Sequence, residues 1–150
     1  MYRQDFIIRI IEQFGRALAA LLHKITGRQL SPAEVHAQIA AVASQSGLQL
    51  DVARSLDPAM LLMWLAPRGD ADIDPGKFWL MAELLFLEGM HARAEGHVEA
   101  ARADLDRARL ILSKLPPDWR PQTDLSTAGE RLEDIANALS APPQDGEDAG

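Results

Sequence analysis

The chain has 150 residues, 47% of them apolar but only 5% aromatic, with no cysteine and a formal net charge of −7. That length suits one domain able to bury roughly 68–70% of its unfolded surface, and the missing cysteine excludes disulfides, thiolate metal sites and cysteine nucleophiles. A composition rich in alanine and leucine, without a useful alternating stretch, favours helix over sheet. The acidic balance without a basic stripe argues against nucleic acid as a partner, because phosphate neutralisation supplies most of that affinity.

The charge is uneven. Residues Met1 to Arg28 hold five basic and two acidic side chains, whereas Pro116 to Gly150 hold two basic and eight acidic ones. The two ends can attract each other, within one chain or between two.

A first helix is expected from about Tyr2 to Ile25. Ile7, Ile11, Phe14, Leu18, Leu21 and Ile25 make a heptad-like stripe, widened by Phe6, Ile10, Ala17 and Leu22. This is more apolar surface than one neighbour covers, so the helix is either core or shared with a second copy. Phe6, Ile10, Phe14, Ala17 and Leu21 are the candidate self-association residues, and the expected assembly is a homodimer. Arg9, Glu12, Gln13, Arg16, His23 and Lys24 interrupt the apolar run, so it is neither a membrane-spanning helix nor a secretory segment. Docking on a membrane surface through this amphipathic helix is the alternative, disfavoured by the mixed signs on its charged face.

The opening Tyr2, Gln4, Asp5, Phe6, Ile7, Arg9, Ile11 and Glu12 resembles the start of a small bacterial family of unknown function. Its members begin with Tyr or Phe, then Gln-Asp-Tyr/Phe-Ile, an Arg and an Ile-Glu pair before a leucine-rich helix. The likeness covers about 22 residues. It implies a bacterial, cytoplasmic, all-helical protein and carries over no activity.

Farther along, Ser31-Pro32-Ala33-Glu34 is a capping box with proline in the first turn, and Val35, Ile39 and Val42 form an inward stripe that Gly47 stops. Leu48, Leu50, Val52 and Leu56 predict one or two helical turns on the core. Asp57-Pro58 starts a short helix through Met60, Leu61, Trp64 and Leu65, closed by Pro67, and Asp74-Pro75 starts a long one. The intervening RGDADIDPGK fails as a calcium loop: its glycine is one place late, and Met81 stands where a bidentate glutamate is needed. As a phosphate loop it fails on spacing, on Phe78 in place of a hydroxyl, and on the absence of a preceding strand. Arg68-Gly69-Asp70 lacks the secretion signal that an integrin motif requires. A capped, solvated turn is the better account.

Residues Ala82 to Leu115 read as one helical hairpin. Leu85, Gly89, Gly96, Ala101, Leu105 and Ala108 resemble a tetratricopeptide-like unit, in which small residues let two antiparallel helices approach closely. Gly96 ends the first helix by taking a left-handed conformation. Val98, Ala101, Leu105, Ala108, Leu112 and Leu115 form the second helix's stripe. Glu99, Asp104 and Asp106, each three residues before an arginine, are read as its wet side. No second unit appears one repeat length away in either direction. Other helices, or a second chain, must therefore cover this one. The resemblance puts Glu83, Phe86, Met90 and Arg93 on the face lining that family's groove, as candidate partner-binding residues for an apolar segment. The competing reading is that the terminal helices bury Phe86 and Met90.

No catalytic constellation accompanies the hairpin. His23, His36, His91 and His97 include no pair three or four apart, and Glu83 and Glu88, five apart, diverge on a helix. The expectation is therefore not an enzyme, with no metal and no cofactor. At least two of Trp64, Trp79 and Trp119 are expected in the core. After Pro116-Pro117 a last helix is expected with the stripe Leu125, Ala128, Leu132, Ile135 and Leu139, and Thr127 with Glu130 caps it in the alternative that it begins late. The tail 141–150 is acidic and free of large apolar residues, which predicts disorder. In sum, residues 1–140 form an all-α single domain of about six helices around a tetratricopeptide-like hairpin. It is read as a protein-interaction or scaffold module that associates with a protein partner or with itself.

Overall fold

Local capping chemistry sets the element boundaries in the computed structural model, which describes the backbone of residues 2–141 and the side chains of residues 6–141. Seven α-helices and no strand form among the described residues: α1 Tyr2–Thr26, α2 Pro32–Ser46, α3 Leu50–Ser55, α4 Pro58–Leu65, α5 Pro75–Ala94, α6 Val98–Leu112 and α7 Ala128–Ser140. Ser31 with Glu34 and Thr127 with Glu130 close reciprocal capping boxes on α2 and α7. The Asp57 and Asp74 carboxylates accept from the Met60 and Lys77 amides at the starts of α4 and α5. These bonds satisfy donors that a bare helix start leaves open. The acidic loop forms one 3-10 turn over Gly69–Asp72, in which Asp72 pairs with Arg68. Most of the acidic tail, residues 142–150, lies outside the described residues, as do the side chains of Tyr2, Gln4 and Asp5.

The architecture is a wrap around α5. From Phe78 through Gly89 every residue of this helix is buried, on all faces rather than along one stripe. Helices α1, α2, α3, α6 and α7 all pack on it. Phe78, Trp79 and Phe86 are among the largest fully buried side chains, each stabilising the fold by about 1.5–3 kcal/mol on burial. The Trp79 indole N–H donates to the Ser126 carbonyl at 3.1 Å, which ties the loop before α7 to the central helix. The stripe of α1 is absorbed into this core: Ile7, Ile10, Ile11, Leu18, Leu21 and Ile25 are buried. Among the described residues no helix is long and apolar enough to cross a membrane.

The α5–α6 pair is the most extensive helix contact. Gly96, at φ 80°, makes the turn between them. At Gly89 a Cβ atom would lie 2.9 Å from Leu105 Cγ and Cδ2 and 3.3 Å from the Ala101 carbonyl oxygen, so the two helices meet where only hydrogen fits. Within α6, Ala101, Leu105, Ala108 and Leu112 are buried, as the stripe predicts. Two expectations need correction. Asp104 is not on a wet face but buried, because α3 and α4 lie over that side of α5 and α6. Val52 is exposed rather than on the core, since the short α3 turns Leu50 and Ala53 inward. Of the tryptophans, Trp79 is buried, Trp119 partly buried and Trp64 exposed.

The N-terminal helix meets the loop before α7 through packing and an ion pair. Leu125 packs over Gly15 of α1, and beside it Arg16 Nε donates to Asp124 at 2.9 Å. This pair is largely solvated, so packing rather than charge holds the loop there. Gly89→Val is expected to destabilise the protein by about 1–3 kcal/mol through overpacking against Leu105. Urea denaturation followed by circular dichroism reads the shift, and an unchanged midpoint excludes close packing at this crossing.

Candidate functional site

A helix buried on every side has no solvent for its charged side chains, and α5 carries two acids inside its buried run. Glu83 faces α7. Arg131 answers it with Nε 2.5 Å from Oε1 and Nη2 3.0 Å from Oε2, a bidentate pair in which both residues are nearly inaccessible, at 3% and 6%. The same guanidinium lies 4.3 Å from the centre of the Phe86 ring and donates through Nη1 to Asp134 at 2.7 Å. Burial works against its charge, but Glu83 and then Asp134 outweigh it and hold Arg131 above the ordinary arginine value.

One and a half turns on, Glu88 faces the opposite side of the helix. Arg54 of α3 brings Nη1 to 3.6 Å from Glu88 Oε2, and its Nε and Nη2 donate to Asp104 of α6 at 3.1 and 3.0 Å. Arg107 donates to Asp104 at 3.2 Å and to the Leu56 carbonyl at 2.7 Å, so α3 and α6 are laced together over α5. On the other side of Glu88, His36 of α2 places Nδ1 3.2 Å from Oε1 and 3.4 Å from Oε2. His91, one turn after Glu88, stands edge-on to His36 with ring centres 5.1 Å apart. Burial first, and the neighbouring His36 second, push His91 below the usual histidine range, which keeps the ring neutral near pH 7. His36, Glu88 and His91 each have a potential donor atom within 4.8 Å of the other two. A cleft of about 460 Å³ opens beside them, bordered by His36, Ser44, Gln49, Arg54 and Glu88.

A search confined to pairs of histidines misses this cluster, although one local sign of it was available. Glu88 and His91 stand three apart on a helix and therefore share a face, but His36 arrives from 52 residues away. Only the packing of α2 on α5 makes it a neighbour.

The residues singled out in the sequence are distributed as follows. Glu83 and Phe86 are buried beneath α7, while Met90 and Arg93 remain partly exposed. Phe86, Met90 and Arg93 border a cleft of about 400 Å³ whose other walls are Leu22 and His23 of α1 and Asp134 and Asn137 of α7. Of the five α1 residues expected at a subunit interface, Ile10 and Leu21 are buried within the chain, Phe14 is half-buried, and Phe6 and Ala17 are exposed. Three further large apolar side chains are exposed together on α4. Met60, Met63 and Trp64 are 51%, 68% and 38% exposed, while Leu61 and Leu65 turn inward. Trp64 and Phe6 border one cleft of about 660 Å³, together with Arg68, Asp72 and Lys77.

The chain matches no protein-family model, no curated protein and no solved structure.

Arg131→Met is expected to cost about 3–5 kcal/mol, because it leaves the Glu83 carboxylate buried and unpaired, whereas Glu83→Leu combined with Arg131→Met recovers most of that loss. Chemical denaturation of the single and double variants measures both. A double variant no more stable than the single one contradicts the account.

Proposed function

We propose that this protein is an interaction module that self-associates through the outer face of α4. The observation that carries the reading is the exposure of Met60, Met63 and Trp64 on a helix of eight residues. Isolated exposed apolar residues are ordinary, but three on one short helix form a patch that water penalises. Methionine is well suited to such a surface, since its unbranched thioether adapts to the contour it meets.

A second copy fits this face because an isologous contact sets the apolar side chains of one α4 against the same side chains of the other. The α5–α6 hairpin is read as a tetratricopeptide-like unit, a reading supported by the tight crossing at Gly89 and the left-handed turn at Gly96. Such units bury their faces by stacking. In this chain α1 and α7 pack on α5 and take the place of neighbouring repeats, leaving α4 as the exposed apolar edge.

Light scattering on the full chain is expected to give the mass of a dimer. Met60→Glu with Met63→Glu is expected to give a monomer with unchanged helicity, because substitutions at exposed positions move stability by only about 0.5 kcal/mol. A monomeric parent chain, or a double variant that stays dimeric, overturns the assignment of this face.

A further inference from the structure

Among the described residues, two buried side-chain polar atoms make no well-directed hydrogen bond: His91 Nε2, and Glu88 Oε1, which has His36 Nδ1 at 3.2 Å. They belong to one cluster. Elsewhere among the described residues buried charges are closely matched, as the bidentate Glu83–Arg131 and Asp104–Arg54 pairs demonstrate. An unmet buried polar atom is destabilising, so two in one place need a common explanation.

A cation supplies one. Glu88 and His91 present a carboxylate and an imidazole from successive turns of α5, and His36 presents a second imidazole from α2, with one donor atom of each within 4.8 Å of the others. Ligands about 2.0–2.2 Å from a tetrahedral ion stand roughly 3.4 Å apart. The His36 Nδ1 to Glu88 Oε1 separation is already 3.2 Å. Closing the set asks for side-chain movements of about 1 Å, and His36 has room to move because its side chain is half exposed.

The surroundings are compatible with added positive charge. Arg54 is the nearest competitor, but its Nε and Nη2 are bound to Asp104, and its Nη1 approaches Glu88 through Oε2. That contact orients the carboxylate and leaves Oε1 turned to the histidines, as outer partners of metal ligands commonly do. Asp51 and Glu95 add negative charge near Arg54 and His91 respectively. The adjoining cleft reaches His36 and Glu88 from solvent and gives an entry path.

We infer that His36, Glu88 and His91 form a three-ligand site for a borderline divalent transition-metal ion of the zinc class. Two nitrogens and one carboxylate oxygen select this class over magnesium or calcium, which prefer oxygen donors throughout. The site lies on α2 and α5 and is independent of the α4 face, so failure of either reading leaves the other standing.

The test uses the full chain without an affinity tag. Titration with Co²⁺ is expected to give visible d–d absorption of tetrahedral strength that saturates at one ion per chain, and Zn²⁺ is expected to displace it. His36→Ala removes a ligand at the exposed edge of the cluster and so should leave the fold intact. It is expected to weaken Zn²⁺ binding at least about 100-fold, since losing even an outer partner costs 10–100-fold. His23→Ala, which removes an exposed imidazole of α1 outside the cluster, is expected to change nothing. The assignment is overturned if the parent chain takes up no stoichiometric Zn²⁺ or Co²⁺, or if His36→Ala binds as tightly as the parent.

Discussion

Complete enclosure of α5 is the constraint from which the other features follow. A helix with one apolar stripe can leave its charges in water, but a helix buried around its circumference must find a partner inside the protein for each charge it carries. Glu83 and Glu88 point in opposite directions, and each recruits its own partners: Arg131 from α7 on one side, Arg54 and His36 from α3 and α2 on the other. The apolar contacts around α5 tolerate some rotation of the outer helices. The ion pairs do not. A bidentate guanidinium fixes both distance and orientation, so Glu83 with Arg131, and Asp104 with Arg54, act as pins that define where the surrounding helices sit.

The two sides of α5 differ in how completely the charge is answered. On the α7 side, each Glu83 oxygen receives a donor and the guanidinium is further engaged by Phe86 and Asp134. That arrangement is closed and reads as structural. On the α2 side, Arg54 is shared between Glu88 and Asp104, His36 contributes from a half-exposed position, and an oxygen and a ring nitrogen lack a well-directed hydrogen bond beside a cleft. The asymmetry separates a cluster that serves only the fold from one with capacity left for a ligand.

Much of the helical framework was legible in the residues because its determinants are local. The capping boxes at Ser31 and Thr127, the aspartate caps at Asp57 and Asp74, and the turn at Gly96 depend on neighbours within four positions, and each falls where the sequence places it, Thr127 under the later start of the last helix. The fate of charged residues was not legible in the same way. Asp104 has an arginine three residues later, as surface acids on helices often do, yet a guanidinium 50 residues upstream takes it into the interior. Likewise His36 carries no sign in its own surroundings that His91 and Glu88 will meet it. The apolar ridge of α4 lay between these cases. Its period marked Leu61 and Leu65 as inward, but Met60 and Trp64 were read into the same helix without a side, since eight residues make barely two turns.

The central position of α5 in space coincides with a late position in the chain, and this bears on how the protein is made. Synthesis proceeds from the N-terminus, so α1 through α4 leave the ribosome before Pro75–Ala94 exists to receive them. Until then α1 and α2 have only each other, the face that each turns to α5 stays uncovered, and completion of the core must wait for more than half the chain. The hairpin partner α6 follows at once, joined by a short turn, whereas α7 and its arginine arrive last. A nascent chain stalled before Arg131 therefore holds Glu83 without its counter-charge, which makes the final helix the latch on an otherwise assembled core.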